Sequence, residues 1–142
     1  MVDVIAVSKY FVHLSFGNKS RSLTPLKLQK LLYLAQGWSY VWDNSPLFKN
    51  DFEAWQYGPV CVEVYDYFKK YHSEEIPEIE GVVSLGDKNA EETVEAIWDD
   101  FSDYTAYDLV EMTHKQEPWR RAYKEHTIIS KKDIQHYFQS TF

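Results

Sequence analysis

The chain has 142 residues, one cysteine (Cys61) and a formal net charge of −7, with 44% hydrophobic, 17% aromatic and 26% charged residues. That length fits one domain, expected over residues 1–142, and suffices to bury roughly 68% of the unfolded surface in one core. A lone thiol excludes an internal disulfide, no apolar run approaches the roughly 18 residues of a membrane span, and the early Asp3 argues against a signal peptide, so a soluble protein of the reducing cytoplasm is expected.

From Asp3 to Phe16, Val4, Val7, Phe11 and Leu14 recur at helical spacing, with Ile5 and Val12 beside them. Gly17-Asn18 is the expected stop, because either residue takes a left-handed C-cap. A second helix opens with Thr24 as N-cap and Pro25 at its first position. Leu28, Leu31, Leu32, Ala35, Trp38 and Trp42 form its apolar stripe, widened by Leu26, Leu34 and Val41. Lys27 and Lys30 are expected on its wet face, and Asn44-Ser45-Pro46 ends it.

Residues 52–57 (FEAWQY) read as a short strand, with Glu53, Trp55 and Tyr57 on one face and Phe52, Ala54 and Gln56 on the other. Gly58-Pro59 is expected to break it and to seed a helix from Val60 to Tyr71. The next stretch is punctuated by Pro77, Gly81 and Gly86, and Val82, Val83 and Leu85 suggest a strand that pairs with residues 52–57. A helix from Ala90 to Phe101 turns Val94, Ile97, Trp98 and Phe101 inward. Thr105 to Asp108 resembles a capping box opening a helix to His114. Glu117-Pro118-Trp119 opens a short helix through Tyr123, and Ser130 caps a last helix bearing Ile134, Tyr137 and Phe138. The sum is a mainly α domain of six or seven helices with a short β element.

Charge is uneven along this path. Residues 73–103 hold eleven acids against Lys88, a local net charge of −10, whereas residues 1–72 and 104–142 are +2 and +1. Such a field repels phosphate, so nucleic acid is disfavoured as a partner and a basic protein is favoured. Arg120, Arg121, Lys124, Lys131 and Lys132 are the one cationic group that argues the other way. For most of these features the bland reading outweighs the sharp one. The acids Glu91, Glu95 and Asp99 lack calcium-loop spacing and read first as a solvated helix face.

No metal or cofactor is expected. The five histidines show no zinc spacing, and the isolated glycines offer no phosphate cradle. Cys61 with His72 or His114 is the only nucleophile–base pairing to consider, in a small hydrolase or transferase. Its neighbours Val60 and Val64 favour a buried structural thiol. His114, ending a helix, reads first as a cap for backbone carbonyls. Trp55, Tyr57, Trp119 and Tyr123 suit either core gaps or interface anchors.

Three blocks carry a resemblance. KLQKLLYLAQGW (Lys27 to Trp38), FEAWQYGPVCVEVYDYFK (Phe52 to Lys69) and LVEMTHKQEPWRRA (Leu109 to Ala122) stand in the order and spacing of the Panacea antitoxin domain, a family also called SocA-like or phage-associated. The chain resembles it over roughly Leu26 to Phe138. The resemblance implies a helical, non-enzymatic antitoxin that neutralises a cognate protein toxin, encoded nearby, by direct contact. Trp55, Tyr57, Gly58, Pro59, His114, Pro118 and Trp119 match the family's motif residues by position. With the acids Glu91, Glu95 and Asp99, all of these except Pro118 are the expected partner-contact residues. Members with an added N-terminal DNA-binding module exist, and residues 1–21, with room for one helix, are expected to lack it.

Overall fold

The computed structural model describes residues 1–17, 22–81 and 84–142. Among these are seven α-helices and a small sheet: α1 (Val4–Ser15), α2 (Pro25–Asp43), β1 (Phe52–Trp55), β2 (Gly58–Val60), α3 (Val62–Phe68), α4 (Lys88–Phe101), α5 (Ala106–His114), α6 (Glu117–Glu125), β3 (Ile128–Ile129) and α7 (Lys131–Thr141). A 3-10 turn, Lys69–Tyr71, follows α3. The helix starts follow local chemistry. Thr24, Thr105 and Ser130 each accept a backbone N–H in the first turn, and Thr105 with Asp108 completes a reciprocal capping box. Asn44 closes α2 in the left-handed region at φ 53°. The end of α1 differs from expectation, with Phe16 as cap at φ −99°. Gly17 does not take positive φ, and Asn18 lies outside the described residues.

The sheet order is β2-β1-β3, all antiparallel. Gly58-Pro59 therefore does not break the strand into a helix. It continues the chain as the second arm of a hairpin, with Trp55 opposite Gly58 and Glu53 opposite Val60. Proline is tolerated there because β2 is an edge strand. Strand β1 is flanked by β2 on one side and, at Phe52 and Glu53, by β3 on the other. Ser84 and Leu85 are outside any strand, and Val82 and Val83 lie outside the described residues.

Helix α2 is the axis of the fold. It packs against α4, α7, α5, β2, α1 and α3. That surrounding corrects the expected wet face: Lys30 is 0% exposed and Lys27 7%. Their stems lie among side chains while the amines reach carbonyls, Lys27 Nζ to Ser102 O at 2.6 Å and Lys30 Nζ to Pro59 O at 2.8 Å. The other end of the stripe is also corrected. Trp38 is only half-buried and Trp42 is 45% exposed. Midway, Gly37 is the contact point for α7: a Cβ there would overlap the fully buried ring of Phe138. Gly37→Ala is expected to cost about 1–3 kcal/mol despite alanine's better helix propensity, since the Phe138 ring must be displaced from its packed position. Urea unfolding checks this, and a stabilised variant would show that α7 slides freely.

Candidate functional site

The three sequence blocks meet at the hairpin. From α2, Gln29 holds the end of β2 from both sides, its Nε2 donating to Cys61 O at 3.0 Å while its Oε1 accepts from Cys61 N at 2.8 Å. Lys30 holds the next carbonyl but one, Pro59 O. From the opposite side, Trp119 Nε1 donates to Trp55 O at 2.9 Å, and His114 Nε2 donates to Gln56 O at 2.9 Å. The imidazole must be the donor, because a carbonyl can only accept. It therefore ties α5 to the hairpin turn and does not cap its own helix. His114 stacks on Trp119 (centroids 4.1 Å apart, planes 22° apart), and Trp119 stacks on Tyr123 (4.7 Å, 16°). Glycine is required at the centre of this junction, since Gly58 sits at φ +108° against Thr113 and Lys30.

Burial sets the titration behaviour of the junction. Loss of water lowers Lys30 from 10.5 to about 7. Burial likewise pushes the Cys61 thiol up to about 12, and the Glu63 carboxylate, 3.4 Å from Sγ, adds to the rise. A thiol so disposed is not a nucleophile at neutral pH. Its side-chain partner is Glu63, and neither His72 nor His114 bonds to it among the described residues. No group of three or more His, Cys, Asp or Glu side chains is placed to hold a metal ion among the described residues.

The expected contact residues separate into two kinds. Gly58, Pro59 and Trp119 are buried, His114 and Trp55 are half-buried, and Tyr57 is 52% exposed. Trp55 presents its ring edge to Tyr65 at 5.0 Å and gives its own Nε1–H to Glu53. The acids Glu91, Glu95 and Asp99 lie on α4, which packs mainly on α1 and α2 and is not brought to the hairpin. Glu91 accepts from Ser84 Oγ and Leu85 N, and Glu95 accepts from Tyr10 OH, so both have internal roles. Asp99 is exposed. Two of the five cationic residues have acidic partners: Arg121 lies 3.9 Å from Asp133 and 4.0 Å from Glu125, and Lys131 lies 2.6 Å from Asp51.

A family model described as antitoxin SocA-like, Panacea domain, matches residues 28–120. The chain belongs to that family. The match runs from α2 to the first turn of α6, leaving out α1, β3 and all of α7. No curated protein and no solved structure matches the chain. Within the Panacea domain, Gln29, Lys30, His114 and Trp119 clamp the hairpin between α2, α5 and α6.

Two apolar concavities lie beside this clamp. One, of about 340 Å³, is bounded by Leu26, Trp55, Tyr57, Val64, Tyr65 and Phe68. The other, of about 600 Å³, runs between α2, α5 and α7 and includes Trp38, Phe101, Tyr104, Met112, Tyr137 and Phe142. Sequence reasoning missed the second. Its one legible signal is that Trp38 and Trp42 extend the apolar stripe past the last core leucine of α2, where an aromatic pair suits a surface anchor as well as a core.

Proposed function

We propose that the protein is an antitoxin that binds and neutralises a cognate protein toxin by direct contact in the cytoplasm, with no catalytic or cofactor chemistry of its own. Membership of the SocA-like antitoxin family carries this reading. Two features support it. Cys61, the one nucleophile the sequence offered, is buried and held protonated. Exposed aromatics, the usual anchors of protein contact, stand at the hairpin at Tyr57 and Tyr65. Of the motif residues, Tyr57 and the edge of Trp55 are the contact surface, while Gly58, Pro59, His114 and Trp119 hold that surface in place. Asp99 and the exposed acids around it supply attraction for a basic partner and raise the association rate.

Co-expression with each neighbouring gene tests the proposal. One neighbouring product is expected to arrest growth alone, to be tolerated with this protein, and to copurify with it. Cys61→Ala is expected to retain full neutralisation. If no neighbouring product is toxic and rescued, or if Cys61→Ala abolishes rescue while folding and binding persist, the antitoxin reading fails.

A further inference from the structure

We propose that the groove between α2, α5 and α7 docks a basic amphipathic helix of the toxin, an assignment that rests on the antitoxin reading above. The groove holds about 600 Å³ and is lined mostly by apolar side chains. Its lip is unusually aromatic for a surface. Phe142, 55% exposed, and Tyr104, 41% exposed, line it, and Trp42, 45% exposed, stands next to it against Trp38. Trp38 links two of these, with its ring 4.7 Å from Phe142 and 5.1 Å from Trp42. A continuous apolar surface of this kind marks an interaction site.

Charge selects the occupant. Asp108 and Glu111 stand on the α5 side of the groove, and Lys115 is the one base among the residues lining it. Asp108 spends one oxygen on the N–H of Thr105, but Glu111 is exposed and has no hydrogen bond or ion pair among the described residues. A second copy of this acidic chain would meet like charge across the same rim. A segment with Lys and Arg beside an apolar stripe meets opposite charge there.

Backbone chemistry selects the shape. The walls are helices, whose N–H and C=O groups are spent internally, so an extended peptide would find few backbone partners. A helix satisfies its own backbone and presents side chains at i, i+3, i+4 and i+7, the pattern that fits an aromatic groove.

Titration calorimetry of the full chain with a synthetic Leu/Lys peptide of about 18 residues, patterned as one apolar and one basic face, tests the docking directly. A Leu/Glu peptide of the same pattern is the control. Binding of the Leu/Lys peptide alone is expected. Glu111→Lys and Phe142→Ala are each expected to weaken it about tenfold or more, and Glu92→Lys, the same charge change on the exposed part of α4, by less than about threefold. Absence of binding, equal binding of both peptides, or equal losses from Glu92→Lys and Glu111→Lys overturns the proposal. Co-expression separates the two layers. If the wild-type protein rescues a neighbouring toxin and a folded Trp42→Ser, Glu111→Lys variant rescues equally, the groove assignment falls and the antitoxin reading stands. If no toxin is rescued, the antitoxin reading falls and with it the toxin as occupant.

Discussion

Gly58→Ala is expected to destabilise the protein by about 2–5 kcal/mol, the sum of backbone strain and overpacking. At φ +108° an L residue is strained whatever room surrounds it, and here there is none. The added Cβ would lie 2.8 Å from Thr113 Oγ1 and 2.9 Å from Lys30 Cε. Neither neighbour can yield. Thr113 is fully buried with its hydroxyl committed to Val110 O at 2.9 Å, and Lys30 is fully buried with its amine committed to Pro59 O. Relief requires β2 to move away from α5, which stretches the bonds from His114 to Gln56 O and from Trp119 to Trp55 O. Thermal unfolding should show a fall of roughly 10 °C. Tyr57→Ala, one residue away and exposed, should change stability by less than about 0.5 kcal/mol. If Gly58→Ala unfolds within about 1 kcal/mol of wild type, the junction is looser than its contacts imply.

The same junction shows where sequence reasoning stops. Helix starts were legible because their chemistry is local: Thr24, Thr105 and Ser130 each bond to a backbone N–H three residues on. The apolar spacing of Val94, Ile97 and Trp98 likewise marks the buried face of α4. The sheet was only partly legible, because the pairing of β1 with β3 joins residues far apart in sequence. Two-residue β3 carries too little pattern to read alone, and it becomes a strand only because Ile129 meets Phe52. Gly58-Pro59 carries a strong turn signal, yet its geometry serves an edge strand whose Pro59 carbonyl is taken by Lys30 of α2, with Gln29 holding the next residue after the strand, Cys61. The motif residues were found from their resemblance, but their roles were not readable. A motif residue that holds a hairpin and one that touches a partner leave the same mark in a sequence. Exposure separates them, leaving Tyr57 at the surface and Trp119 inside.

Lys30 is the clearest departure from helical periodicity, and it carries the second large prediction. The stripe places it opposite Leu28 and Leu32, but α2 is enclosed on that side too, so the amine sits in the interior with Pro59 O as its hydrogen-bond partner. Its lowered pKa has one cause, loss of water, with no carboxylate contributing. In the unfolded chain the amine binds its proton near the ordinary 10.5, and in the folded protein only near 7. Between those values the unfolded state holds the extra proton, so stability rises with pH across that window, by on the order of 5 kcal/mol in full, and is flat with respect to this group below it. Cys61 acts in the opposite direction above pH 9, because its raised pKa lets the unfolded chain lose that proton first. Lys30→Met removes the first effect and keeps the second. It also orphans Pro59 O, at a cost of about 1–3 kcal/mol. The two stability curves are therefore expected to cross. At pH 6 the variant should be the more stable by roughly 2–4 kcal/mol, where the wild-type protein must bury a charged amine. Near pH 10 it should be the less stable, where the neutral amine still satisfies the Pro59 carbonyl. Urea unfolding of both proteins between pH 6 and pH 10 measures this, and parallel curves would mean that the Lys30 amine reaches water in the folded state.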